Sequence, residues 1–115
     1  MTDYSAGKQF RLKHRAEIAR VFDHGRKRSD GLMTLIAARN DDGGQTRFAV
    51  LVSKRHGSAV ARNRIKRLCR EAFRLTLPEL PAGWDYAILP RVGVKPTLRG
   101  LQNSLRTLAP KVTRE

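Results

Sequence analysis

Residues 58–77 run Ser58-Ala59-Val60-Ala61-Arg62-Asn63-Arg64-Ile65-Lys66-Arg67-Leu68-Cys69-Arg70-Glu71-Ala72-Phe73-Arg74-Leu75-Thr76-Leu77. Turned through about 100° per residue, this stretch gathers Ala61, Ile65, Leu68, Ala72 and Leu75 on one face, with Cys69 beside them. Arg62, Asn63, Lys66, Arg67, Arg70 and Arg74 fan over the opposite face, and Arg64 lies at the other rim. Ser58 is a suitable N-cap, and Pro78 disfavours helical backbone at the residue before it, so the spacing predicts one long helix over 59–77. Its apolar side needs a surface to bury against, and the flanking sequence supplies a sheet.

Upstream, Ile18, Val21 and Phe22 fall at i, i+3, i+4, which predicts a short amphipathic helix over about 14–24, stopped by Gly25. Leu32 to Ala38 is a strand-like apolar run, and Arg47 to Ser53 is a second. The turn residues Asn40-Asp41-Asp42-Gly43-Gly44 between them suggest a hairpin, and another short strand fits near 26–30. Downstream, Pro81 and Gly83 form a loop, Tyr86 to Leu89 a further strand, and Thr97 caps a last helix striped by Leu98, Leu101, Leu105 and Leu108. The order is α-β-β-α-β-α with the optional extra strand, hence an α+β sandwich of helices on one sheet. With 115 residues, one domain is expected, over 10–115, behind a flexible lead-in at 1–9.

Charge narrows the function. Lys and Arg number 24 against 10 Asp and Glu, a formal net charge of +14. Lys54 to Arg74 alone carries eight basic residues and one acid, a net +7 and half of the total. Solvated helix faces usually mix both signs, and this one hardly does. Arginine forks bind phosphates bidentately and stack on bases, while Asn63 can donate and accept at a base edge or ribose hydroxyl. A nucleic-acid surface centred on the long helix is the reading that follows. Strands rather than a short helix precede it, which argues against a helix-turn-helix. A single cysteine excludes an intrachain disulfide and favours a cytoplasmic setting, and no run is long and apolar enough to span a membrane.

Val52-Ser53-Lys54-Arg55, the run Gly57 to Arg67 with its Arg62-Asn63-Arg64 core, and Arg70-Glu71-Ala72-Phe73-Arg74 closely resemble the signature of the bacterial ribonuclease P protein subunit. The likeness extends to the Arg11-Leu12-Lys13 entry, to Val21-Phe22 followed by Gly25, to the expected hairpin, and to the leucine-rich last helix, so that it spans nearly all of 10–109. It implies an α-β-β-β-α-β-α fold on a mixed sheet, with a left-handed crossover joining two parallel strands across the long helix. It implies a role in removing the 5′ leader of precursor tRNA, with the catalytic centre and most Mg²⁺ sites in ribonuclease P RNA. Carried over by position, Lys54, Arg55, Arg62, Asn63, Arg64, Lys66, Arg67 and Arg70 are candidate contacts to that RNA. Ile18, Phe22 and Ile36 would line a leader cleft between the first helix and the sheet. Family members often carry aromatic residues where this chain has Ile18 and Ile36, so base stacking there would fall to Phe22.

The residues themselves offer no protein-borne catalytic or metal site. His14, His24 and His56 are scattered, Cys69 lies on the apolar side of its helix, and Asp41-Asp42 reads as turn chemistry. Phe22 fits either a core stripe or an open groove, and Trp84 reads as packing at a strand entry. The expected partners are ribonuclease P RNA and precursor tRNA, with no membrane and no obligate protein partner. The alternative is a ribosomal, rRNA-binding protein without enzymatic role.

Overall fold

The computed structural model describes residues 11–12, 14–40 and 45–114. The expected lead-in over 1–9 and most of the Asn40–Gly44 turn lie outside them. Three helices, α1 (Arg15–His24), α2 (Ala59–Thr76) and α3 (Leu98–Val112), pack on a sheet of β1 (Arg26–Ser29), β2 (Met33–Arg39), β3 (Arg47–Val50) and β4 (Trp84–Pro90). The strand order is β1-β2-β4-β3. β1 and β2 are antiparallel, as are β2 and β4, whereas β3 runs parallel to β4. This is the α-β-β-β-α-β-α order on a mixed sheet, with α2 inside the crossover between the parallel pair.

One expectation is overturned. The runs around 32–38 and 47–53 do not form a hairpin, because β4 is inserted between them and pairs with both. The local hairpin is β1–β2, turned by Asp30, whose Oδ1 accepts from the backbone N–H of Leu32 at 2.9 Å and of Met33 at 3.0 Å. β3 is also shorter than the 47–53 run, although the Leu51 N–H still reaches Ile88 O at 2.9 Å.

The pleat sorts side chains into two layers. Met33, Leu35 and Ala37 of β2, Phe48 of β3, and Tyr86 and Ile88 of β4 face α2 and α3 in the larger core. Phe48 and Phe73 stack with ring centroids 4.1 Å apart, and Tyr86 meets Phe73 edge-on at 5.8 Å. The other face is thin: Ile36, Ala38, Ala49 and Ala87 pack with Leu12 and with Val21 of α1. Both faces of the central strands are covered, which is why 32–38 reads as an unbroken apolar run.

Two details of the helices differ from the sequence reading. Leu75 is 39% exposed, while Phe73 and Thr76 are buried. Thr76 tolerates burial because its hydroxyl donates to Ala72 O at 2.8 Å. Gly25 ends α1 without a left-handed cap, at φ −83°. Its role is steric: a Cβ there would lie 2.4 Å from Val21 O, 2.6 Å from Ile36 Cγ2 and 2.9 Å from Ala37 O. Only glycine lets the end of α1 sit against β2.

Candidate nucleic-acid interface

Ser58 starts α2 as expected, its hydroxyl accepting from the Ala61 N–H at 3.2 Å. Cys69, Ala72, Phe73 and Thr76 are buried, with Ile65 and Leu68 packed against the same core. That orientation leaves Asn63, Arg64 and Arg67 exposed and Arg62, Lys66 and Arg70 half-buried along one flank. Those three recur every four residues, so they line up about 6 Å apart, near the spacing of successive phosphates.

Lys54 and Arg55 stand exposed on a single 3₁₀ turn, Lys54–His56, directly before α2. His56 fixes this turn to the sheet. Its Nδ1 accepts from the Ser53 N–H at 3.0 Å, which leaves Nε2 to donate to Pro90 O at 2.7 Å. Gly57 follows at φ 113°, a conformation that L side chains rarely adopt, and redirects the chain into the helix. All eight candidate RNA contacts thus lie on α2 or on the turn that leads directly into it, and none of them is buried.

Arg11 joins that surface, although periodicity could not place it there. It bridges to Phe48 at the free edge of β3, and the Leu12 N–H donates to Phe48 O at 2.8 Å. Partial burial, and then the neighbouring Arg11 charge, hold the Arg70 guanidinium below its ordinary value. The Nε atoms of Arg11 and Arg62 are buried without a hydrogen-bond partner. Closely spaced cations on one flank form a field that favours oxyanions.

The candidate cleft residues are on the other face of the sheet. Phe22, on α1, is 45% exposed, so it is no core residue. Ile18 is half-buried beside it, whereas Ile36 is 4% exposed and sits under Gly25. Ile36 therefore forms the floor of any groove there, and Phe22 is the large apolar side chain exposed beside it. Cys69 is 1% exposed, and burial pushes its thiol up to about 12, which suits a structural residue rather than a nucleophile. Among the described residues, no group of three or more His, Cys, Asp or Glu could hold a metal ion, and no helix is long and apolar enough to cross a membrane.

A family profile described as Ribonuclease P matches residues 7–113. The chain belongs to the ribonuclease P protein family. It is 36% identical over 96 residues to the ribonuclease P protein component of Brevibacillus brevis, covering 83% of this chain and 76% of that one. With the Microcystis aeruginosa ribonuclease P protein component it shares 39% over 87 residues, covering 72% of each. Among solved structures, a Staphylococcus aureus RNase P protein mutant with defective mRNA degradation activity superposes with a TM-score of 0.79 at 29% identity, over 92% of this chain and 89% of that one. A ribosomal protein is not favoured by these matches.

Proposed function

We propose that this chain binds ribonuclease P RNA through α2 and the turn before it, and holds the 5′ leader of precursor tRNA against α1. Family membership makes it a protein component of ribonuclease P, the ribonucleoprotein endoribonuclease of tRNA maturation. The observation that carries the RNA-binding surface is the flank Arg62–Lys66–Arg70 with Arg11, cations set close enough that the Arg11 charge helps to lower the Arg70 guanidinium pKa. In this reading the chemistry belongs to the RNA, which holds the Mg²⁺ ions that activate water. The protein supplies cations on a rigid helix and an apolar groove with Phe22 at its rim. Binding the leader raises affinity for the precursor over the mature tRNA, and charge neutralisation lowers the Mg²⁺ requirement.

Reconstitution tests this directly. The protein alone should leave precursor tRNA intact, and with ribonuclease P RNA at low Mg²⁺ it should restore 5′-leader removal. The variant Lys66→Glu/Arg70→Glu should keep its circular dichroism spectrum yet bind the RNA with a log–log salt slope shallower by about 2. Specific cleavage by RNA-free protein, or wild-type affinity in the folded variant, would refute the assignment.

A further inference from the structure

β1 carries Arg26, Lys27, Arg28 and Ser29, all exposed, at the edge of the sheet opposite β3. Its pairing register fixes where they point. Arg26 and Arg28 oppose Ala37 and Leu35 and so share the face covered by α2 and α3, whereas Lys27 opposes Ile36 on the α1 face. Arg26 Nη1 donates to Arg114 O, just past the end of α3, and Arg28 Nη1 donates to Lys27 O within β1 at 3.0 Å. Both partners are neutral carbonyls. None of the three cations has a carboxylate partner among the described residues.

Two arginines on the helices are held differently. Arg106 on α3 is held by Glu79, Nε to Oε1 at 3.1 Å and Nη2 to Oε2 at 3.1 Å. Arg74 on α2 is held by Glu71, Nη2 to Oε2 at 2.8 Å. Both of these arginines are neutralised, whereas the cations of the α2 flank and of β1, at opposite edges of the sheet, have no such carboxylate among the described residues. Three interstrand steps separate those edges, about 14 Å, with α3 standing between.

We propose that β1 is a second RNA-backbone contact, so that one protein molecule holds two separate segments of ribonuclease P RNA from opposite edges of its sheet. The inference rests on the RNA-binding reading above but concerns a surface that reading does not use. The competing role for charge on an edge strand is to prevent edge-to-edge pairing between copies. That role requires charge of either sign. RNA contact requires positive charge and appears in the salt dependence of binding.

The test uses the full-length protein and ribonuclease P RNA, with Arg26→Gln/Arg28→Gln compared against the charge-matched control Lys95→Gln/Arg99→Gln. Losing two phosphate contacts should make the log–log salt slope shallower by about 1.4–1.8, so the wild-type advantage should shrink about tenfold between 0.05 M and 0.2 M salt. Backbone footprinting should show two protected segments with wild type. The β1 variant should lose one of them and Lys66→Glu/Arg70→Glu the other. Arg28→Glu keeps the edge charged and therefore unpaired, and it carries the same expectation if the neutral variant self-associates in sedimentation. A single protected segment, an unchanged slope, or an equal change in the control overturns the proposal. Loss of the α2 footprint alone would leave the RNA-binding reading standing without it.

Discussion

The two faces of the sheet are held by different forces. The α2/α3 face is closed by large side chains: Phe48, Phe73, Tyr86 and a ladder of leucines from α3, nearly all with no exposure. The α1 face has alanines where that face has aromatics, and an ionic cluster does much of the fastening. Arg47 of β3 donates from Nε and Nη2 to Asp85 of β4 at 3.1 and 3.0 Å, and from Nη1 to Glu17 of α1 at 2.5 Å. Arg20 of α1 lies 3.9 Å from the same Asp85 carboxylate. Dispersion and hydrophobic burial act over the whole α2/α3 contact, whereas ion pairs hold α1 at one end. The face that mounts the arginine helix is therefore the stiff one. The face that offers Phe22 should accordingly open locally before the domain unfolds.

Cutting into each face sharpens that contrast. Phe73→Ala removes the ring at the centre of the larger core and should cost about 3–5 kcal/mol, seen as a lower denaturation midpoint for the whole domain. Asp85→Asn leaves Arg47 without its bidentate carboxylate. With Asp85 buried but Arg47 partly solvated, the loss should be about 2–3 kcal/mol, and hydrogen exchange should quicken in α1 while α2 stays protected. Equal acceleration in α2 would show that the faces do not open separately.

Two smaller effects bear on the α1 face. Phe22→Leu removes a stacking surface worth about 1–3 kcal/mol per base, so reconstituted holoenzyme should bind leader-bearing precursor more weakly and mature tRNA nearly as before. Equal loss for both RNAs would remove Phe22 from the groove. Glu17 tests the ionic clamp by pH. Burial opposes its charge, but hydrogen bonds from Arg47 and the His14 backbone outweigh that and hold its pKa below the ordinary 4.5. A depressed carboxylate stabilises the fold fully above its unfolded value and loses that contribution as pH falls through the folded one. Glu17→Gln should thus cost about 0.5–1 kcal/mol at neutral pH and flatten the acid side of the stability curve below about pH 4.5.

The helices and the basic surface were legible in the sequence because both follow local periodicity. Ser58, Thr97 and the apolar stripes set α2 and α3 to within a residue or two, and the same period put Arg62, Lys66 and Arg70 on one flank. Strand pairing was not legible. The turn residues after Arg39 favour a hairpin locally, but β4, more than thirty residues further along, offers both β2 and β3 a partner buried on both faces. Arg11 and His56 escaped for the same reason: each reaches its place through a contact distant in sequence, Arg11 with Phe48 and His56 with Pro90. Ile36 was named for the cleft, but its place at the floor was not legible, because a strand covered on both sides shows no alternation to tell floor from rim. The Asp30-Gly31 pair was a visible turn signal, and it marks the true hairpin.

The strand order also sets a timetable for synthesis. As the chain leaves the ribosome, β1 and β2 can close their hairpin at once, but β3 emerges before β4, the strand it pairs with in the sheet, and has only the short Arg11–Leu12 bridge available to it. Its partner β4 ends at Pro90, so most of the protein must be translated before the sheet can be completed. By then α2 has been made and has to be carried across the sheet between the two strands it connects. For a nascent chain, docking the arginine helix and closing the sheet are therefore one late step. Until it occurs, an apolar strand and a strongly cationic segment are exposed together, so growing chains are at greatest risk of aggregation or stray RNA binding just before the fold closes.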